Sequence, residues 1–123
     1  MPAEGAGRLE CVCEALVARK AQDIVVLEIS ALSSIADQFV IASARSRLAV
    51  QALADGVREA MEGLGERPRH AEGRAEARWV CLDFGDVIVQ LFQEDVRRYF
   101  DLERLWGDAP LRRIADAVTA ATG

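Results

Sequence analysis

The chain has 123 residues, of which 51% are hydrophobic and 28% charged, a composition typical of one globular domain and too apolar for a disordered chain. A net charge of −5 argues against gripping nucleic acid by counterion release, so no direct sequence-specific nucleic-acid binding is expected. No apolar run is long enough to span a membrane, and the first residues lack a signal or targeting pattern. We therefore expect a cytoplasmic protein without a membrane partner.

The first half of the chain predicts two helices separated by two strands. Apolar residues at helical spacing predict a helix over residues 8–20. Residues 23–30 and 39–43 are β-branched or apolar runs, which predict two strands in the interior of a sheet. A second amphipathic helix is predicted from Ser46 to Leu64, with apolar residues every three or four positions.

Cysteine and histidine give no metal pattern. Cys11 and Cys13 form a C-x-C pair, but residues two apart on a helix point about 200° from each other, so packing is favoured over metal binding. His70, the only histidine, lies in the charged connection 65–78, where a solvated side chain is expected. The odd number of cysteines, three, suggests no disulfide framework.

The stretch WVCLDFGDVIVQLF, residues 79–92, predicts a β-hairpin. Its Gly85-Asp86 loop suits a type II′ turn, which places Phe84 opposite Val87. Alternation then gives one wholly apolar face, formed by Val80, Leu82, Phe84, Val87, Val89 and Leu91. The other face carries Trp79, Cys81, Asp83, Ile88, Gln90 and Phe92. This mixed face is either a second, partly covered layer or a contact surface, and the residues alone leave both open.

The order strand, helix, strand predicts a crossover unit that aligns residues 39–43 parallel to residues 79–84. Residues 94–106 predict a further helix, whose apolar residues extend beyond one face and therefore need two surfaces to cover them. The tail 111–123 is expected to be a weak alanine-rich helix or a frayed end.

The sequence contains no complete catalytic motif of the kinds considered below. The chain has no GxxxxGK[ST] loop, and its only lysine is Lys20. The tripeptide Asp83-Phe84-Gly85 matches a kinase motif by coincidence, since the chain is too short for a kinase domain. His70 and Cys81 are badly placed for nucleophilic catalysis. Asp83 and Asp86 could each offer Mg²⁺ one contact, but surface carboxylates without a metal are favoured.

Aromatic residues gather in the last third of the chain, at Trp79, Phe92, Tyr99, Phe100 and Trp106. Aromatic side chains dominate interface energetics when they remain partly exposed. The alternative is that they fill the core, which we expect of Phe100.

The segments DIVVLEISALSSIADQFVIAS and WVCLDFGDVIVQLFQEDVRRYFDLERLWGDAP, with VQALADGV and an EG pair between them, resemble the ribosomal silencing factor family, also called RsfS or Iojap-like. The resemblance covers about residues 20–110. Most of it rests on the Asp-aromatic-Gly-Asp turn and the Tyr-Phe-x-Leu-Glu-x-Leu-Trp helix that follows.

The resemblance implies a single α/β domain with a mixed β-sheet flanked by helices, similar to nucleotidyltransferases but without their catalytic motif. That domain would span residues 1–110 and leave 111–123 as a tail. Family members are not enzymes and need no cofactor or metal. They bind the large ribosomal subunit through large-subunit ribosomal protein fourteen and block the small subunit sterically, so translation falls when nutrients are scarce, as in stationary phase.

Carried over by position, the resemblance implies a set of partner-binding residues: Trp79, Asp83, Asp86, Tyr99, Leu102, Glu103, Leu105 and Trp106. The chain departs from the family at Ala44, usually Gly, at Leu48 and Ala49, where Arg or Thr and then His or Gln are usual, and at Gln90, usually His. These departures question a role for that histidine and a polar contact from the first turn of the long helix.

Two further hypotheses accompany the ribosomal one. The first is a small Mg²⁺-dependent nucleotidyltransferase-like enzyme or nucleotide-binding protein that uses Asp83 and Asp86. The second is a homodimer that consumes the aromatic residues in self-association, which is compatible with ribosome binding.

Overall fold

The computed structural model describes residues 4–114, and side chains from residue 7 onward. Its helices are α1 (Glu4–Ala18), α2 (Arg47–Glu62), α3 (Glu94–Phe100) and α4 (Leu102–Leu105). Its strands are β1 (Gln22–Glu28), β2 (Gln38–Ala44), β3 (His70–Glu72), β4 (Trp79–Asp83), β5 (Val87–Gln93) and β6 (Leu111–Arg113). Within that range no helix combines the length and the apolar character needed to cross a membrane.

The strands form one six-stranded sheet in the order β3-β4-β5-β2-β1-β6. The β2–β5 pair is parallel and the other pairs are antiparallel, so the sheet is mixed. The predicted α/β fold with a mixed sheet is confirmed, and β1 and β2 lie in the interior of the sheet as expected.

The predicted hairpin is confirmed in its register. Asp83 pairs with Ile88, and Phe84 N donates to Val87 O at 2.9 Å, which closes the turn at Gly85-Asp86. Gly85 has a φ of +97° and Asp86 is not among the residues with positive φ, as a type II′ turn requires. The six residues of the apolar face are all buried.

The predicted crossover alignment is wrong, because the parallel neighbour of β2 is β5 and not β4. The chain returns from α2 through β3, a short edge strand within the segment that we predicted to be a charged loop. Since β3 pairs antiparallel with β4, and β4 antiparallel with β5, the hairpin enters the sheet in the reverse direction. A strand of three exposed residues, His70–Glu72, thus sets the direction of the hairpin.

The sheet separates two apolar clusters. On one face α1 and α2 pack over β-strand residues that include Val26, Val40, Val80 and Val89. On the other face Val96 of α3 and Leu102 of α4 cover a smaller cluster that includes Phe39, Ile41 and Phe92. The mixed face of the hairpin belongs to this second cluster, with Trp79 and Cys81 packed at its margin.

The helix boundaries follow local chemistry. Ser46 caps α2, since its Oγ accepts a hydrogen bond from Ala49 N at 3.1 Å. The single helix predicted for residues 94–106 is wrong, because Asp101 adopts a left-handed conformation with a φ of +47° and divides it into α3 and α4. Aspartate tolerates this conformation better than most residues, as its short polar side chain bonds locally.

The tail also begins differently from the prediction. Residues Leu111–Arg113 form β6 at the edge of the sheet, paired antiparallel with β1, instead of a weak helix or a frayed end. Backbone pairing with an interior strand explains this, because Glu28 N also donates to Pro110 O at 2.9 Å. The rest of that prediction, residues 115–123, lies outside the described residues.

Candidate partner-binding surface

Apolar side chains crowd the outside of α3 and α4. Tyr99 is 82% exposed, Leu105 is 73% exposed and Phe100 is 46% exposed, while Trp79 and Trp106 are half-buried beside them. We call these five side chains the α3–α4 surface. Exposed aromatic and leucine side chains gathered on one short helical segment are unusual for a protein without a partner at that place.

A chain of ring contacts joins this surface to the core. Trp79 stacks on the buried Phe92 with ring centroids 5.0 Å apart, and it contacts Phe100 at 4.8 Å. Phe100 in turn meets Tyr99 edge to face at 5.1 Å. The exposed Tyr99 ring is therefore supported by aromatic rings down to the sheet, which limits its freedom before any partner arrives.

The prediction that Phe100 fills the core is wrong. Its ring lies over Trp79 at the surface, because the left-handed residue Asp101 ends α3 directly after it and the sheet beneath is already covered by Val96 and Phe92. Phe100 thus belongs to the α3–α4 surface, although it was not predicted there. The only indication in the sequence was its position next to Tyr99, which is the most exposed large hydrophobic side chain in the described range.

Trp79 is held in place by a polar contact. Its Nε1 donates to Oε1 of Gln90 at 2.8 Å, across the β4–β5 pair. Gln90 is buried, so this bond satisfies a side chain that would otherwise be costly to bury. Gln90 carries an amide that does not titrate, so the orientation of the indole does not depend on protonation of its partner.

Trp106 is supported from a different part of the sheet. Its ring meets Phe39 edge to face with centroids 5.4 Å apart. Phe39 lies in β2 and is buried in the second cluster. The two tryptophans of the surface are thus anchored on two different strands, through Phe92 of β5 and through Phe39 of β2.

Arg97 connects α3, α4 and the sheet. Its Nη2 donates to Glu103 Oε2 at 3.0 Å, and its Nη1 donates to Ser43 Oγ at 3.1 Å and to Gln22 O at 3.4 Å. Arg97 is buried, so these partners compensate the removal of its charge from water. Glu103, predicted to bind the partner, has its carboxylate engaged in this internal ion pair.

The loop before Trp79 is tied to α2. Gln51 Nε2 donates to Arg74 O at 2.9 Å, and Arg74 forms a two-pronged ion pair with Asp55 at 2.8 and 2.7 Å. This pairing lowers the pKa of the Asp55 carboxyl group. A Cβ at Gly73 would lie 2.1 Å from Trp79 O, so only glycine lets the loop approach the strand so closely.

The hairpin aspartates have separate internal partners. Asp83 Oδ1 accepts from Gly85 N at 2.8 Å, which shapes the turn. Asp86 Oδ1 accepts from Arg8 Nη1 of α1 at 2.7 Å, on the opposite face of the sheet. The turn therefore does not present the two carboxylates as one joint cation site, and no group of three His, Cys, Asp or Glu residues that could hold a metal occurs within the described range.

Burial keeps the thiols of Cys13 and Cys81 in their protonated form. Burial raises the pKa of Cys13 to about 11, although the charge of Arg112 opposes the shift. Burial also raises the pKa of Cys81, and the neighbouring carboxylates of Asp83 and Glu72 add to the effect. Both thiols therefore remain protonated at neutral pH, the form with little nucleophilicity. The packing role expected for the C-x-C pair agrees with the burial of Cys13 in the first cluster.

Of the predicted site residues, four belong to the α3–α4 surface: Tyr99 and Leu105 are exposed, and Trp79 and Trp106 pack at the margin of the second cluster. Leu102 lies beneath this surface in the core, and Glu103 binds Arg97. Asp83 lies in the hairpin strand and Asp86 is paired with α1. Arg97, Gln90 and Phe100 support the surface but were absent from the predicted set.

The fold is a small α/β domain with a six-stranded mixed sheet. Two long helices cover one face of the sheet, and the other face carries two short helices with exposed aromatic side chains. Comparison with known proteins identifies the family. A family model described as "Ribosomal silencing factor during starvation" matches residues 2–122. The chain belongs to this family.

Individual relatives agree with the assignment. "Ribosomal silencing factor RsfS" of Bacillus subtilis is 43% identical over 93 residues, which cover 76% of this chain and 79% of that protein. A crystal structure of a protein from Chromobacterium violaceum superposes with a TM-score of 0.81 at 34% identity, covering 83% of this chain and 85% of that one. A second crystal structure, from Bacillus halodurans, gives a TM-score of 0.76 at 34% identity and covers 86% and 96%.

Proposed function

We propose that this protein is a ribosomal silencing factor. It binds the large ribosomal subunit through large-subunit ribosomal protein fourteen and sterically prevents the small subunit from joining, which represses translation under nutrient limitation. The role is regulatory and requires no catalysis or cofactor, since occupying the joining surface is sufficient. Membership of the family and the name of the Bacillus subtilis relative support this proposal.

The α3–α4 surface is the observation that carries the proposal. Tyr99 and Leu105 expose most of their apolar area to solvent, which costs free energy unless a partner covers it. The rings beneath Tyr99 hold it in position, so little conformational entropy is lost on binding. Rigid aromatic side chains with supporting contacts are the usual anchors of protein interfaces.

The remaining predicted residues have graded roles in this proposal. Trp79 and Trp106 contribute their partly exposed rings, and Asp83 gives the hairpin a negative charge that favours a basic partner. Asp86 contributes less charge, because it pairs with Arg8 on the opposite face. Leu102 and Glu103 hold α4 in place without contacting the partner: Leu102 is buried in the second cluster, and Glu103 pairs with Arg97. Removing either side chain should weaken binding by moving α4.

The matched test compares two leucines of equal exposure. Leu105→Ala truncates a side chain of the α3–α4 surface that is 73% exposed. Leu48→Ala truncates one that is 71% exposed, in the first turn of α2 on the other face. Sedimentation of purified ribosomal subunits at physiological Mg²⁺ measures joining. We expect Leu105→Ala to need about fivefold to thirtyfold more protein for half-inhibition, as truncation of an interface anchor costs about 1–2 kcal/mol.

Leu48→Ala should inhibit joining as the unchanged protein does. Circular dichroism must first show that both variants are folded. Full subunit joining at saturating unchanged protein would reject the proposal, and equal loss of inhibition in both leucine variants would reject the assigned surface. Light scattering with and without ribosomal protein fourteen tests whether a homodimer competes for the same surface.

A further inference from the structure

A cleft of about 330 Å³ opens on the face of the sheet opposite the α3–α4 surface, between the end of α1 and the first turns of α2. We call it the α1–α2 cleft. Ala44 and Ala49 form its floor, the exposed Ala52 lies at its edge, and its rim carries the cations Arg19, Lys20 and Arg45. The volume is at the lower end of the range of about 300–1,000 Å³ for ligand sites in proteins.

The floor is apolar because small side chains line the place where α2 passes over the end of β2. Leu53, buried beneath, closes the bottom of the cleft.

The rim is cationic and partly fixed. Arg19 Nη1 donates to Ala52 O at 3.2 Å and its Nη2 donates to Glu59 at 3.3 Å, which hold its guanidinium over the cleft. Gln22, with its amide turned to satisfy both neighbours, accepts from Arg45 Nε at 3.3 Å and donates to the Glu94 carboxylate. The residues that line the cleft in the described part of the chain include no carboxylate, although Glu59 pairs with Arg19 and Glu94 lies against Gln22. The positive charge available to an anion therefore comes from Lys20 and Arg45.

Lys20 occupies a position that usually belongs to glycine. Lys20 N donates to Val17 O and Ala21 N donates to Leu16 O, each at 2.9 Å, the hydrogen bonds of a Schellman end to α1. Lys20 itself has a φ of +62°, a left-handed conformation that is unfavourable for residues with a Cβ and easily adopted by glycine. The only lysine of the chain is thus held at the cleft against the local backbone preference.

The location agrees with a general rule of α/β sheets. β2 and β5 are parallel neighbours, and the chain leaves β2 for α2 on one face but leaves β5 for α3 on the other. Ligands of such sheets bind outside the carboxyl ends of the strands at this point of divergence. Ala44, the last residue of β2, lines the cleft at that end.

We infer that the α1–α2 cleft binds a small amphipathic anion, with a short hydrocarbon group on the alanine floor and a carboxylate or phosphate head between Lys20 and Arg45. The site is separate from the α3–α4 surface, so it concerns a ligand of the protein and not the ribosomal partner. A short fatty acid has both features and serves as the probe.

The experiment is a titration of the full chain with hexanoate, followed by amide chemical shifts at neutral pH. We expect saturable shifts at residues 20, 45 and 49, with a Kd on the order of 1 mM for so small a ligand. Hexanol and hexylammonium match the hydrocarbon group but lack the negative charge, and should give no saturable shift at these amides. Hexyl phosphate shows which head group binds more tightly.

Lys20→Gly separates ligand binding from helix stability. Because glycine relieves the left-handed strain, we expect an unchanged or higher Tm together with at least a fivefold weaker hexanoate Kd. Lys20→Arg keeps the charge and should keep the affinity within twofold, and Arg113→Gln removes an exposed cation of the opposite face as a control.

Three results would overturn the inference. They are equal shifts with hexanol or hexylammonium, no saturable hexanoate shift at the cleft amides, and an unchanged hexanoate affinity in Lys20→Gly. A lower Tm combined with unchanged affinity in that variant would assign Lys20 to the dipole of α1 instead. Subunit joining is not measured here, so failure of this inference leaves the proposed function untouched.

Discussion

The apolar residues on the two faces of the sheet are covered by helices to different extents. On one face α1 and α2, of 15 and 16 residues, cover the cluster around Val26, Val40 and Val89. On the other face α3 and α4 have only seven and four residues, and aromatic rings fill the area that these helices do not reach. The incompletely covered face is therefore the one on which a partner can gain binding energy.

The comparison also separates two kinds of stability. Long helices with continuous apolar stripes contribute to global stability, whereas a four-residue helix depends on the contacts at its ends and can open locally. In α4 those contacts come from Leu102 and from Glu103 on Arg97. Variants in the two faces should therefore differ in what they damage.

The largest effect is expected from truncating equivalent leucines on the two faces. Leu53→Ala, in the cluster under α2, should lower the free energy of unfolding by about 3 kcal/mol, because the long helices cannot collapse into the cavity. Leu102→Ala, under α4, should lower it by less than about 2 kcal/mol, since α4 can open alone. Urea denaturation measures both, and equal losses would contradict the contrast between the faces.

A smaller effect is expected when the internal ion pair of α4 is broken. Arg97→Met leaves the Glu103 carboxylate without its partner and should cost about 2 kcal/mol, less than for a fully buried pair because Glu103 is partly exposed. It should also weaken inhibition of subunit joining by shifting Trp106. The double variant with Glu103→Gln should recover part of the lost stability in a double-mutant cycle. Additive losses would show that the pair contributes nothing.

The smallest effect concerns the ion pair that ties the loop before Trp79 to α2. Arg74 lowers the pKa of Asp55, so the pair stabilises the folded state above the unfolded pKa of about 3.9, and this stabilisation is lost as the pH falls through the folded pKa. Asp55→Asn should lower the Tm slightly at pH 7, and this difference should shrink as the pH falls below about 3.9. Thermal melts across this range measure it, and a difference independent of pH would contradict the linkage.

The elements most reliably predicted are those whose pattern is locally complete. The hairpin has two alternating strands and a Gly-Asp turn, and α2 has an apolar stripe with Ser46 as its cap, so side-chain period and turn chemistry agree. Four of the five surface side chains, Trp79, Tyr99, Leu105 and Trp106, were in the set implied by the family resemblance, whereas Phe100 was expected in the core. Their exposure was not predictable, because it depends on how far α3 and α4 extend over the sheet.

The wrong predictions arise where a few residues determine how distant parts of the chain are arranged. His70–Glu72 carry no apolar pattern, since β3 is an exposed edge strand, yet they reverse the hairpin relative to β2. Asp101 divides a continuous helical pattern with a single left-handed residue. Arg97 looks like any surface arginine in sequence, and only the approach of Ser43 and Glu103 in three dimensions makes it a buried connector.

The strand order has a consequence for synthesis. β5 is the fifth strand to be made but lies at the centre of the sheet, between β4 and β2. Until Val87–Gln93 has emerged, β2 therefore keeps one edge unpaired, and the ion pair between Arg8 and Asp86 cannot close before residue 86 is made. Such late, long-range closure makes folding slower and exposes an open strand edge to aggregation while the chain is still being synthesised.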